Sequence, residues 1–381
     1  MKRLIPLYAG LFFTGFVFWY SIEKAFMLTI GFDSATIALM AAVLYGASLL
    51  IETPSGILAD RWSRKGVLIL ATLSLGASSA IGGISHDISL YMLSAVFWGL
   101  FNAFLSGTSD SIIYDVLAES RTTNNYRAYL SIQKIISGVA LVASSVIGGY
   151  ISTGIDMRAS YLCTLAPLSI ALVCFLLIKE PRVCNETADI KVIEHTRNTF
   201  RVAFKNPQLT FILLSLICIG VVGSAIAEMY QLWYLPFHPS LEQIGIMGGL
   251  MMCTWGLSGT ISMYLSRKSR VYASLLLAIV ASVLLTFIQG AWLAAICLFI
   301  VGIIAQGLHT ALTSDLHHHL PSRYRAGASS AIGTITCLAY IPIILLFGYV
   351  ANAANIFVAT WIIVLLIGIT LVTEFLGTKK T

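Results

Sequence analysis

The sequence predicts an all-α membrane protein, with twelve transmembrane helices arranged as two related six-helix halves. Three observations carry this. Of 381 residues, 58% are hydrophobic and 10% are charged, where a soluble domain carries about 25% charged residues. The charges stand in short links between apolar runs, and most runs reach the roughly 20 residues that a helix needs to cross a bilayer. Several polar positions then recur along the chain at a nearly constant offset. The net charge of +6 does not imply nucleic acid, because the bases are confined almost wholly to those links.

Apolar runs set against polar breaks place spans at 5–30, 35–59, 67–86, 88–118, 125–153, 158–179, 207–235, 240–266, 270–289, 291–319, 325–351 and 354–377. Runs abut near Gly290, so eleven or thirteen spans also fit. The first run, MKRLIPLYAGLFFTGFVFWY, resembles a signal peptide. It lacks a small-residue cleavage site and stays apolar past Phe26, so it is expected to be retained as a span. All Lys and Arg except Lys24, Lys134 and Arg158 fall on one side of the predicted membrane. Basic links face the cytoplasm. Both termini and the central link are therefore expected there, in a cell (inner) membrane. That link, 180–206, divides an N-terminal half at 1–179 from a C-terminal half at 207–381. Residues 190–205 fit an amphipathic helix lying on anionic lipid and fit a solvated linker equally. The sequon Asn185-Glu186-Thr187 is expected to stay unmodified on the cytoplasmic side.

The halves carry traces of one repeat. Thr108-Ser109-Asp110 recurs as Thr313-Ser314-Asp315, and Glu23 recurs as Glu228, both at an offset of 205. Arg61 and Arg64 recur as Arg267 and Arg270 at 206, and Tyr126-Arg127-Ala128 recurs as Tyr324-Arg325-Ala326 at 198. Parallel repeats of this kind place a substrate path at their interface.

Between the second and third spans, residues 56–66 read GILADRWSRKG. This stretch resembles the signature link of the major facilitator superfamily, roughly G-x-L-A-D-R-x-G-R-K. Gly56, Leu58, Ala59, Asp60, Arg61, Arg64 and Lys65 match, and Ser63 replaces a glycine. The resemblance extends to the whole chain through the twelve spans, the six-plus-six repeat and the central cytoplasmic link. It implies a secondary transporter whose halves rock about a central site. Gly56 is expected to let two helices approach closely. Arg61, Arg64 and Lys65 are expected to hold the turn against anionic lipid, where each base is worth about 1 kcal/mol. The resemblance implies that Asp60 latches the first half to the start of the eleventh span, near Ser322–Tyr324. The alternative is a topological anchor. Two signatures of the family's drug–proton antiporters are absent. Ala95 stands where a fourth-span arginine would precede Gly99, and Ser144-Ser145 stands for the Gly-Pro before Gly148-Gly149. The chain is accordingly more similar to poorly characterised bacterial branches than to the well-known drug pumps.

An ionised residue at mid-bilayer costs roughly 2.5–3.5 kcal/mol and marks a functional site by default. Glu23 and Glu228 are the repeat-related acids of the first and seventh spans. Helical spacing sets Phe16, Trp19 and Tyr20 on the face of Glu23, and Ser224 and Gln231 on the face of Glu228, as in a cavity wall. Placement near the outer surface is the alternative for both acids, and Lys24 is a possible local partner of Glu23. Asp110 in the fourth span and Lys134 in the fifth reach equal depth, which predicts an ion pair or shared network. Asp315 has no matching lysine and is left to Arg323 or a histidine. Glu52 is expected at the cytoplasmic interface. Substrate or proton roles are thus assigned to Glu23, Asp110, Glu228, Asp315 and Lys134, with Phe16, Trp19, Tyr20, Ser224 and Gln231 around them.

His309 and the run His317-His318-His319 raise metal transport as a minor reading, with His309, His317 and Asp315 as ligands. A titrating cytoplasmic rim fits better, since three adjacent histidines on a helix point three ways. The seven cysteines show no CxxC spacing and read as small buried hydrophobes. No GxxxxGK[ST] run and no Ser/His/Asp arrangement occurs, so neither ATP-driven transport nor hydrolysis is expected, and no cofactor is required. The expected function is proton-coupled export of a small amphiphilic or cationic compound by a monomer in contact with membrane lipid. Metabolite uptake, coupled or facilitated, and a transporter-like receptor or scaffold are the alternatives.

Overall fold

A computed structural model describes residues 2–180, 207–265, 267–319 and 322–378. The expected surface helix at 190–205 and the sequon lie outside them. Among the described residues there are only helices and connecting turns. Eleven helical stretches are long and apolar enough to cross a membrane, and the shorter Ile5–Thr14 begins a twelfth. The chain forms two compact units, Met1–Asn185 with Pro239–Gly256, and Glu186–His238 with Leu257–Thr381. The stretch 239–256, expected in the second half, thus groups with the first unit.

The first unit contains α1 (Ile5–Thr14), α2 (Glu23–Thr29), α3 (Ser34–Arg61), α4 (Arg64–Ile84), α5 (Ile88–Leu105), α6 (Thr108–Glu119), α7 (Tyr126–Gly154), α8 (Met157–Cys163) and α9 (Leu165–Leu176). Their starts follow from capping chemistry. Asp33 accepts the Thr36 backbone N–H at 2.8 Å, and the Asp33 backbone N–H donates in return to Thr36 Oγ1. Ser63 and Asp87 cap α4 and α5 in the same sense. Each side-chain oxygen satisfies a helix N–H that would otherwise lack an intrahelical acceptor.

Two expected spans are interrupted. The first leaves the helix at Gly15 and runs in turns to Ile22 before α2. Backbone freed inside a membrane protein must be satisfied by other protein groups. Here the Phe18 N–H donates to Thr164 Oγ1 at 3.2 Å, and the Ser21 hydroxyl donates to the Ser145 carbonyl at 3.0 Å. The fourth span breaks at Ser106-Gly107. Gly107 has φ +70°, a left-handed conformation that glycine adopts without the Cβ clash. Both corrections concern backbone geometry, which hydropathy does not register.

Leu4, Leu7 and Leu11 of the first span pack with Leu68, Ile112, Ile113, Val116 and Phe175 in one buried cluster. Gly10 makes room there, since a Cβ would meet the Phe175 ring at 2.3 Å. Similarly, a Cβ on Gly99 would come within 2.4 Å of the Leu44 carbonyl oxygen, so α5 approaches the backbone of α3. The expected close approach at Gly56 is not found. A Cβ there meets nothing within 4 Å, and the tight contact is at Gly66, under the Trp62 ring at 2.7 Å. In α7, the Ser145 hydroxyl donates to the Gly245 carbonyl at 2.8 Å, and a Cβ on Gly149 would lie 2.7 Å from the Leu241 carbonyl oxygen.

The remaining helices are α10 (Pro207–Met229), α11 (Leu241–Tyr264), α12 (Lys268–Leu285), α13 (Ala291–His319), α14 (Ser322–Ala353) and α15 (Ile356–Thr378). Early α11 belongs to the first unit and the rest to the second. The same pairings recur within each unit. The first span packs on the fifth and sixth, as α10 packs on α14 and α15. The third packs on the fourth and sixth, as α12 packs on α13 and α15. The repeat read from scattered residues is therefore also a repeat of packing.

Candidate functional site

In the first unit, Glu23 opens α2, where the positive end of a helix favours a carboxylate. It is 4% exposed, and the adjacent Lys24 is fully buried. Lys24 Nζ lies 2.5 Å from Glu23 Oε2. The long lysine chain closes the angle that separates neighbouring residues on a helix. Glu23 Oε1 accepts the Tyr91 hydroxyl at 2.9 Å, and the Tyr91 and Tyr161 hydroxyls lie 2.7 Å apart. Trp19 stacks on Tyr161 with centroids 4.9 Å apart, and its indole N–H donates to Ser79 Oγ at 2.9 Å. Arg158 lies over the Phe26 ring at 5.1 Å and donates to the Gly83 carbonyl at 2.8 Å.

Trp19 and Tyr20 do reach this region, but not by helical spacing, because 15–22 is not α-helical. Tyr20 stacks on Trp98 at 5.8 Å, whereas half-buried Phe16 packs on Phe12 and Phe18. Tyr91 and Tyr161 were not singled out in the sequence. Each stands in an apolar run, and only the fold brings their hydroxyls to the acid.

Asp110 lies in the first turn of α6, just after the break at Gly107, and is half-buried. Its Oδ1 accepts Gln133 Nε2 at 3.2 Å and the Ser109 hydroxyl at 3.3 Å. Lys134 is exposed, and among the described residues no ion pair joins it to Asp110. The expected depth is right, but the register differs by one residue, so Gln133 takes the place given to the lysine.

At the signature link, Arg64 pairs with Asp115 and donates to the Ser111 carbonyl at 3.1 Å, with Asp60 at 3.6 Å. The Asp60 side chain is 72% exposed, and Arg61 is exposed. Lys65 donates from Nζ to the Leu176 carbonyl at 2.6 Å. Its backbone N–H and the Ser63 hydroxyl both donate to Glu180 Oε1, at 3.0 and 2.7 Å. Arg64 and Lys65 thus face protein rather than lipid alone. The side chains of Ser322–Tyr324, the implied partners of Asp60, lie outside the described residues.

In the second unit, Glu228 and Gln231 are buried, at 5% and 1% exposure. Ser224 is half-buried one turn before Glu228 on α10. Gln231 falls in a 3-10 turn, Tyr230–Trp233, after α10 has ended at Met229, so helical spacing does not relate it to Glu228. Asp315 is exposed on α13. His309 is half-buried there beside Gly220, and the side chain of His317 lies outside the described residues. Among the described residues no three of His, Cys, Asp and Glu gather as a metal site would require. At the end of the last span, Lys268 Nζ bonds Glu374 Oε2 at 2.9 Å, with Glu374 only 3% exposed. Lys268 and Glu374 tie the link before α12 to α15, as Lys65 and Glu180 tie the link before α4 to the residues after α9.

Repeated bundles of apolar spans, with acids and aromatic rings sealed inside, define a multi-pass membrane transporter for a small molecule. The chain belongs to the Major Facilitator Superfamily, whose family model matches residues 4–344. It is 22% identical over 330 residues to the quinolone resistance protein NorA of Staphylococcus aureus, covering 82% of this chain and 81% of that protein. It is also 22% identical over 335 residues to the multidrug resistance protein MdtG of Dickeya zeae, covering 84% and 80%. Among solved structures, a mutant of the nucleoside transporter NupG matches with a TM-score of 0.80 at 17% identity, over 98% of this chain and 99% of that one. A bacterial homologue of the lysosomal transporter Spinster, inward-facing and occupied, matches with a TM-score of 0.78 at 14% identity, over 99% and 96%. At these identities the solved structures establish the fold and nothing about cargo.

Proposed function

We propose that this transporter exports a small amphiphilic or cationic compound across the cytoplasmic membrane in exchange for protons, with both termini cytoplasmic. The observation that carries the reading is the sealed network of Glu23, Lys24, Tyr91 and Tyr161 on the interrupted first span. A carboxylate so placed is costly in a membrane protein and marks a functional group. Interrupted spans are where transporters of this kind build their sites. Aromatic rings at Trp19, Tyr20 and Trp98 supply faces that attract cations. The resistance functions in the names of the two sequence relatives favour export. In this scheme Glu23, Asp110, Glu228 and Asp315 carry protons or contact cargo, and Asp60 latches the halves at the cytoplasmic side.

Inside-out vesicles with an outward-coupled pump should release protons from their lumen when given tetraphenylphosphonium or norfloxacin. A pH-sensitive dye reads that release. Glu228→Gln or Glu23→Gln should abolish it while the protein still folds. Proton movement with the opposite sign would assign uptake. Flux in wild type that survives both substitutions together would remove the acids from the coupling mechanism.

A further inference from the structure

The second unit holds a cluster that the acidic scheme does not use. Gln306 and His309 stand one turn apart on α13, within the membrane span Ala291–Leu316. Gly220 and Gly223 stand one turn apart on α10, which packs against both α13 and α14. A Cβ on Gly223 would lie 3.3 Å from Gln306 Nε2. A Cβ on Gly220 would lie 3.3 Å from His309 Cδ2 and 2.9 Å from Thr336 Cγ2 of α14. The glycines therefore let the side chains of Gln306, His309 and Thr336, from two helices, pack close against α10.

Among the described residues none of these three side chains has a hydrogen-bond partner. Thr336 Oγ1 is wholly buried in that condition. A helical threonine normally returns its hydroxyl to a carbonyl of the preceding turn, as Thr310 and Thr313 do on α13. Buried polar groups are ordinarily bonded, and an unmade bond costs about 1–3 kcal/mol. Thr336 Oγ1 is such a group, and Gln306 and His309 stand half-buried beside the same pair of glycines with no hydrogen bond of their own among the described residues.

We infer that Gln306, His309 and Thr336 form a subsite for an uncharged polar group carrying N–H or O–H donors beside carbonyl acceptors, as a ring amide or imide does. Gln306 and Thr336 each offer a donor and an acceptor, and a neutral imidazole offers one of each. The three carry no carboxylate among them. Glu228 is eight residues from Gly220 along α10, about 12 Å by helical rise. The subsite would thus read the hydrogen-bonding pattern of a cargo rather than its charge. It rests on the transport reading only in requiring a small-molecule cargo.

The test uses the purified full-length protein in detergent, melted with and without three probes. Uridine and nicotinamide carry the proposed donor–acceptor pattern, and tetraphenylphosphonium has no hydrogen-bonding atom. At least one of the first two should raise the melting temperature of the wild type. In Gln306→Leu/Thr336→Val, a nearly isosteric pair of changes, the apparent affinity for that probe should fall at least tenfold. The unliganded melting temperature should be unchanged or higher, because groups without partners have been removed. His309→Leu should weaken the same probe, and neither variant should weaken tetraphenylphosphonium. The inference is overturned if the double variant melts lower without ligand, if its probe affinity is unchanged, or if neither polar probe stabilises the wild type. Proton release driven by tetraphenylphosphonium and lost in Glu228→Gln would leave the export reading standing when this one fails. Polar-probe binding without proton-driven flux would do the reverse.

Discussion

The α-carbon of Gly148 lies against the carbonyl of Phe18, so that a Cβ there would sit 1.8 Å from the carbonyl oxygen. The interrupted first span depends on the absence of a side chain on the fifth. Gly148→Ala is expected to reach or exceed the upper end of the about 1–3 kcal/mol cost of overpacking, because a backbone carbonyl cannot swing aside as a side chain can. Gly46→Ala is the control. A Cβ at Gly46 meets nothing within 4 Å, and alanine in an open helical position is favoured by roughly 0.5–1 kcal/mol. Melting curves of the two variants should move in opposite directions.

Removing the Tyr91 hydroxyl leaves Glu23 Oε1 without that donor and separates Tyr161 from the acid. Tyr91→Phe should destabilise by about 1.5–3 kcal/mol, the range for a hydrogen bond to a charged group. Glu23→Leu should cost more, about 3–5 kcal/mol, because it removes the carboxylate beside the buried Lys24 ammonium. Glu23→Leu/Lys24→Met should recover much of that loss. A double-mutant cycle on thermal stability measures the coupling. Additive effects would show that the pair does not act as a unit.

The two end tethers differ in burial and should differ in strength. Glu374 is 3% exposed, whereas Glu180 lies at the surface. Glu374→Ala takes a buried carboxylate away from the half-exposed Lys268 ammonium and should lower stability by more than Glu180→Ala does. The latter removes two surface hydrogen bonds from uncharged donors, the Lys65 backbone N–H and the Ser63 hydroxyl, and should cost about 1 kcal/mol, whereas salt should weaken the Lys268–Glu374 ion pair. Chemical denaturation at two salt concentrations separates the two.

Asp33 caps α3 from outside the membrane span. Its bonds from the Thr36 side chain and backbone hold its carboxyl below the usual carboxylate range. A depressed pKa contributes stability that is present above the unfolded value, about 3.9, and is lost as pH falls through the folded value. Acid melts should therefore show wild type losing stability below about pH 4, and Asp33→Ala losing less over the same interval. At neutral pH, Asp33→Ala should cost on the order of 1 kcal/mol.

Hydropathy and charge placement were enough to find the spans, the repeat and the signature link, because lipid imposes those patterns on residue type. They could not find the breaks at 15–22 and at Ser106-Gly107, because apolar residues fill both helical and non-helical segments of a span. That gap explains the mistaken helical face drawn through Phe16, Trp19 and Tyr20. It also explains the one-residue slip that named Lys134 in place of Gln133. No role was assigned to Asp115, although it is the partner of Arg64. Glu180 and Glu374 were not singled out either, and nothing in their neighbours announced the lysine, hydroxyl and backbone N–H groups that bind them.

The fourth and tenth spans began as copies, yet only the fourth is broken. α5 ends and α6 begins around Gly107, while α13 runs without interruption from Ala291 to His319. The hydrogen-bond ladder of an α-helix is what makes it a stiff rod, and a rod cut at one point becomes two levers with a joint. Duplication thus left this molecule with unequal mechanics in its two halves, and the lever that gained a joint is the one carrying Asp110. Amide exchange should register the difference directly, with protection lower at Ser106–Ser109 than at the matching residues Ala311–Ser314.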